Sequence, residues 1–131
     1  MVMTKAERDA LEKELRKLYP GRGIYSIWNK QTGECVYVGQ TTRSFGVRFA
    51  EHVAYSWDER KTTKIYEYIR AERAKGVRFE FRVEVNVNKC YYEYDLNMME
   101  YTLILKYKQE GHPLQNVKMM KDKEPVKFDF V

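Results

Sequence analysis

Only two of the 131 residues are cysteine, Cys35 and Cys90, and neither stands in a pairing that ligates metal. Their scarcity excludes a zinc-finger spacing and a disulfide scaffold, and reduced thiols in the cytoplasm are the expectation. No apolar run approaches the length that crosses a bilayer, which argues against a membrane span. The opening segment, Met1 to Leu18, carries too many charges for the apolar centre of a targeting peptide. Internal repeats and linkers are missing as well, so a single domain over 1–131 is expected. Neither sign of charge is scarce: 24 Lys and Arg against 19 Asp and Glu leave a net +5. The isoelectric point near 9.1 suits an anionic partner such as nucleic acid, but the excess is far weaker than a histone-like balance. Charge alone leaves a plain basic domain equally open.

Aromatic residues, by contrast, are abundant: 15% of the chain, 11 of them tyrosine. A phenol buries its ring while its hydroxyl stays bonded, which suits a wet groove as well as a core. The hydrophobic content of 44% suffices for one modest core.

Thr4, with Glu7 three residues on, predicts the start of an amphipathic helix over 4–19 that Pro20-Gly21 stops. Its thin apolar stripe suits docking onto a core. Gly23 to Asn29 and Val36 to Gly39 read as strands joined by a turn with Thr32-Gly33 at its tip. A helix runs from Ser44 to about Trp57, and Thr62 or Thr63 caps another that reaches Lys75-Gly76. Val77 to Val85 alternates strictly, with valine and phenylalanine on one face and Arg78, Glu80, Arg82 and Glu84 on the other. That pattern predicts a half-buried antiparallel strand with a solvated charged face. The longest helix spans 91–110 and ends at Gly111 with Pro113 beyond; the tail, 118–131, offers one short strand over Val126 to Phe130. Without a βαβ rhythm the class is α+β: a small three-stranded antiparallel sheet flanked by helices.

Two helices carry polar residues on inward faces. In the helix after Ser44, Phe45, Phe49 and Val53 mark the apolar face, and Arg48 and His52 lie on it four residues apart. In the long helix Leu96, Leu103, Ile104 and Tyr107 form the stripe, and Glu100 sits in its middle. A carboxylate is seldom buried without a partner. Either Arg48 and Glu100 form an ion pair with His52 bonded nearby, or the three share a cleft in which Glu100 holds a cation and Arg48 meets a phosphate. Periodicity leaves both open. A thiol nucleophile built from Cys35 or Cys90 with His52 or His112 lacks supporting context. His112 reads as an exposed loop residue, and Arg60, Lys61 and Lys64 as a solvated loop.

Gly23-Ile24-Tyr25, an eleven-residue gap, Tyr37-Val38-Gly39, then Arg48, His52, Glu100 and Asn116 resemble, in order and rough spacing, the GIY-YIG nuclease family. The resemblance covers 22–117. Val38 stands where the family has isoleucine, and the spacer from Val53 to Met99 is long enough for an extra helix. What the resemblance implies is a metal-dependent endonuclease that hydrolyses DNA at a single site, RNA not being excluded. Glu100 would be the one protein ligand of Mg2+ or Mn2+, and Arg48 would neutralise charge on the phosphate. Tyr25, with Tyr37 as neighbour or substitute, would take the proton of the attacking water, His52 being the second candidate. Gly23 and Gly39 would supply backbone room, and Asn116 would anchor the site through hydrogen bonds. No targeting module is readable, so the chain would be either a compact nuclease with weak sequence preference or a catalytic unit targeted by a partner protein or by dimerisation. The alternative is a non-catalytic nucleic-acid-binding or partner-docking module on the same fold.

Overall fold

A computed structural model of the chain describes residues 2–87 and 93–116, without the side chains of 93 and 94. The element order is α1 (Lys5–Leu18), β1 (Gly23–Asn29), β2 (Glu34–Thr41), α2 (Phe45–Ser56), α3 (Lys64–Ala74), β3 (Phe79–Asn86) and α4 (Glu93–Gln109). Both neighbours of β1 run antiparallel to it in the order β2-β1-β3, so the expected α+β class with a three-stranded antiparallel sheet is present. The helix α3 fills the long spacer before the third strand. The strand suggested at Val126 to Phe130 and Cys90 lie outside the described residues, and no helix among those described is long and apolar enough to cross a membrane.

Helices cover both faces of the sheet, which is why every residue of β1 is buried. Ile24 and Trp28 pack with Leu96, Ile104 and Tyr107 of α4 on one face. On the opposite face Tyr25 packs with Phe45 and Phe49 of α2, and Ile27 with Ile65, Tyr66 and Ile69 of α3. Period-2 alternation therefore feeds two separate cores from one strand.

Two β-bulges set which side chains reach which core. In β2 the pairing slips between Ile27 and Trp28, and Val36 and Tyr37 both pack on the α2–α3 side. In β3 it slips opposite Ile24 and Tyr25, so Phe79 and Phe81 face α2 and α3 while Val85 joins the α4 core. The strict alternation read over Val77 to Val85 is thus broken by the bulge, and its apolar residues divide between the faces. The charged face is also less solvated than its pattern suggests, because α4 reaches it. Glu84 accepts hydrogen bonds from Ser26 Oγ at 2.6 Å and Tyr107 Oη at 2.8 Å. The Arg82 guanidinium lies 3.9 Å from the centre of the Trp28 ring.

The N-terminal helix is a support for α2. Thr4 and Glu7 close the expected capping box, and the C-terminal turn of α1 meets the N-terminus of α2. Phe45 N donates to Gly21 O at 2.7 Å and Gly46 N to Tyr19 O at 3.0 Å, while Ser44 Oγ accepts from Val47 N at 3.2 Å. The first-turn amides of α2, the donors a helix start leaves without partners, are used by protein groups. Gly46 permits this docking, since a Cβ there would collide with Leu15 O and Arg16 N. Those are backbone atoms and cannot rotate aside. Gly46→Val is therefore expected to destabilise the fold by about 3 kcal/mol, measured by urea unfolding. A loss near zero would mean that α1 does not hold α2.

Candidate active site

Tyr25 stands opposite Gly39 in the β1–β2 register, and its ring crosses directly over that glycine. A Cβ at position 39 would collide with Tyr25 Oη and Cζ and with the edge of the Tyr37 ring. Gly39 thus supplies room for two phenols. Gly23 meets a different constraint: its φ of +142° is one that L side chains rarely adopt, and a Cβ there would run into the Val85 carbonyl.

From Tyr25 a chain of hydrogen bonds runs through the α2–α3 core. Arg48 Nε donates to Tyr25 Oη at 3.3 Å, Tyr25 Oη lies 2.6 Å from His52 Nε2, and His52 Nδ1 lies 2.9 Å from Tyr66 Oη. Because Arg48 can only donate, the hydroxyl proton of Tyr25 is directed to His52 Nε2. That assigns the imidazole proton to Nδ1, where it donates to Tyr66. Burial, followed by the Arg48 charge, holds His52 well below its usual pKa, so it is the neutral imidazole that the chain requires. Burial likewise pushes the Tyr25 phenol well above 10, only partly offset by Arg48. Tyr25 and His52 are fully buried, whereas Tyr37 and Arg48 are partly exposed.

Tyr66 was not singled out by sequence reasoning. It belongs to the inward stripe of α3, and nothing local signals that its hydroxyl ends on a histidine of another helix. Glu51 was missed for the same reason: one residue from His52, it reads as an ordinary exposed helix charge.

The ion pair weighed between Arg48 and Glu100 does not form. Arg48 Nη1 instead pairs with Glu51 at 3.1 Å, one turn away on its own helix. Glu100 has no cation and no hydrogen-bond donor among the described residues, and burial pushes its carboxyl up to about 7. It approaches from the opposite face of the sheet. A hydrogen bond from Gln40 Nε2 to Asn97 Oδ1 ties α4 to β2 one turn before Glu100. Since β2 is an edge strand, groups from both faces can meet around it. The Tyr37 phenol feels both: burial raises its pKa most, Arg48 lowers it and Glu100 raises it.

Asn116 completes the edge. Its Nδ2 donates to Val38 O at 2.7 Å and its Oδ1 accepts from Val38 N at 3.1 Å. Gln115 N donates to Val36 O at 2.6 Å, so the segment after α4 covers backbone groups that an edge strand exposes. The two Asn116 bonds tie it to the backbone of β2. His112 departs from its reading as an exposed residue: it accepts from Cys35 N at 3.0 Å and packs edge-on against Trp28 and Tyr107. Burial drives the Cys35 thiol up to about 12, which makes it a poor nucleophile. Arg60 lies beside Asp58 at 2.9 Å, and Lys61 stacks on Tyr55 at 4.6 Å.

Among the described residues no three His, Cys, Asp or Glu side chains converge as a metal cage. What is present is one carboxylate, sunk far enough to lose hydration yet partly open, with no cationic partner among the described residues. That donor set fits a hard divalent ion such as Mg2+ or Mn2+, which takes one or two carboxylates and retains waters. No family model matches the chain, and no curated protein or solved structure matches it either.

A folded carboxyl with a raised pKa weakens the fold as pH climbs from about 4.5 to about 7, because the unfolded chain releases that proton first. Glu100→Gln, lacking the charge, is expected to be more stable than the parent at pH 8 without metal, by about 1 kcal/mol or more. The advantage should vanish near pH 4. Buried neutral His52 contributes the opposite slope, but equally in both proteins, so urea unfolding of the pair against pH isolates Glu100. Equal stability at pH 8 would show that Glu100 is not a strained, unpaired charge.

Proposed function

We propose that the chain is a metal-dependent endonuclease that hydrolyses DNA phosphodiester bonds at this single site. One observation carries the reading: Glu100 has no partner among the described residues, although Arg48 is close enough to Tyr37 for both charges to act on that phenol. A carboxylate kept for packing or solubility would be paired or exposed; one kept for a cation needs neither. The resemblance to GIY-YIG nucleases points the same way, residue by residue, at Tyr25, Tyr37, Arg48, His52, Glu100 and Asn116.

Glu100 would hold a magnesium or manganese ion, which when bound supplies Lewis acidity at the scissile phosphate. Arg48 carries a permanently charged planar fork and binds a phosphate oxygen as negative charge builds there. In the free protein its Nε occupies a lone pair of Tyr25 Oη. Drawing Arg48 onto the substrate frees that lone pair. Tyr25 then accepts a proton from the attacking water and passes its own hydroxyl proton to His52 Nε2. The resulting imidazolium keeps its Nδ1 proton on Tyr66. Tyr25 and His52 therefore act as one unit that spares the buried phenol a negative charge, although burial and Arg48 also weaken His52 as a base until Arg48 moves onto the substrate. Tyr37, at the cleft surface, borders the same phosphate position.

One site cuts one strand, so a double-strand break takes a second copy or a reversal of the complex, and a partner protein would set the target. A cytoplasmic setting accords with Cys35 being held as a buried thiol. The alternative, a non-catalytic module, draws on the complete burial of Tyr25 and His52, which suits a structural core. It offers no use for an unpaired Glu100.

Supercoiled plasmid and branched DNA, incubated with Mg2+, are expected to be nicked by the parent. Glu100→Ala and Arg48→Ala should each lose about 100-fold or more in rate. An absence of metal-dependent nicking by the parent, with DNA binding unchanged in Glu100→Ala, would establish the binding module instead. RNA in the same assay decides the sugar preference.

A further inference from the structure

Glu51 bridges two arginines. It takes Arg48 Nη1 on Oε1 at 3.1 Å, and it takes Arg43 on both oxygens, with Nη1 on Oε2 at 3.1 Å and Nη2 on the same Oε1 that Arg48 uses. Two guanidiniums on one carboxylate leave a net positive charge and lie side by side. Each has five N–H groups and commits two among the described residues: Arg43 both to Glu51, Arg48 one to Glu51 and one to Tyr25. Three donors remain for an anion on Arg43, and those left on Arg48 adjoin the Tyr37 phenol.

The backbone of Arg43 is held as firmly as its side chain. Thr41 Oγ1 accepts from Arg43 N at 3.1 Å and donates to Arg43 O at 3.2 Å. Thr41 is the buried last residue of β2, two positions beyond Gly39, so Arg43 is attached to the edge strand that carries the site. Its side chain is 54% exposed, against 26% for Arg48. Behind Arg43 lies a cleft of about 210 Å³ between α1 and α2, lined by Asp9, Glu12 and Arg8 among others. Asp9, Glu12 and Glu51 put three carboxylates into that cleft against Arg8 and Arg43, so an anion is better met on the solvent-exposed side of the Arg43 guanidinium. The first-turn amides of α2 are already used and contribute nothing.

We propose that Arg43 is a second phosphate-binding residue, seating the backbone phosphate next to the one Arg48 engages, with Glu51 as the positioning residue that spaces the two guanidiniums. This rests on the endonuclease reading. Arg43 takes no part in the chemistry. It holds the scissile strand in register, so its loss should appear in binding and KM.

The test uses the full chain carrying Glu100→Ala, which removes cutting, and a labelled mixed-sequence duplex titrated at several NaCl concentrations. Adding Arg43→Ala is expected to weaken binding severalfold and to reduce the slope of log Kd against log[NaCl] by about 0.9, one phosphate contact. Arg43→Lys should keep the slope while binding less tightly, because it retains the charge and loses the fork. With Glu100 intact, Arg43→Ala should raise KM for nicking and leave kcat within about twofold. A merely structural ion pair would move thermal unfolding and leave the salt slope alone. If the parent nicks DNA but the slope is unchanged by Arg43→Ala, or is lost equally in Arg43→Lys, this inference falls by itself. If the parent neither nicks nor binds DNA, the endonuclease reading falls first and takes the inference with it.

Discussion

The hydroxyl of Tyr25 joins three parts of the molecule. Its ring rests on Gly39 of the edge strand, its oxygen takes a hydrogen bond from Arg48 of α2, and its proton goes to His52, which passes the connection to Tyr66 of α3. Sheet and two helices are thus aligned by one polar chain running from Arg48 through Tyr25 and His52 to Tyr66. Such a chain tolerates little displacement, because a break leaves a buried group unsatisfied at a cost of ~1–3 kcal/mol. The closeness of β2, the docking of α1 that sets α2, and the neutral state of His52 all serve that alignment.

Glu100 is the counterpoint. Tyr25, His52 and Asn116 each have hydrogen-bond partners, whereas this carboxylate has none among the described residues, and burial raises its pKa to about 7. The fold spends stability to keep an unpaired anion at the strand edge opposite Arg48. On the endonuclease proposal, a bound cation would relieve that cost. Glu51 complements it on the other side, neutralising part of the arginine charge while leaving donors free.

Much of this was legible in the linear chain. The first strand, the helix cap at Thr4, the start of α2 at Ser44 and the stop at Gly111 rest on local rules of periodicity and capping, and they stand where those rules put them. The candidate residues Tyr25, Tyr37, Arg48, His52 and Glu100 were visible as polar groups on apolar faces or within paired short motifs. Less legible were the bulges, which moved Val85 and Tyr37 relative to simple alternation. A bulge depends on how two strands pair, not on the residues of either. Hence the charged face of β3 looked solvated, although Ser26 and Tyr107 sit against Glu84.

The sequence by itself determined which elements form and which side chains have the chemistry, since helix caps, alternation and inward-facing charges are properties of neighbouring residues. Only the tertiary structure decided the distant partnerships: Arg48 with Tyr25 instead of Glu100, His52 with Tyr66, Asn116 with the backbone of Val38, and Glu100 with nothing among the described residues. The physical reason is separation along the chain. Hydrogen bonds and ion pairs act over a few ångströms, and groups 14 to 78 residues apart are brought within that reach only when the two cores close on opposite faces of the sheet.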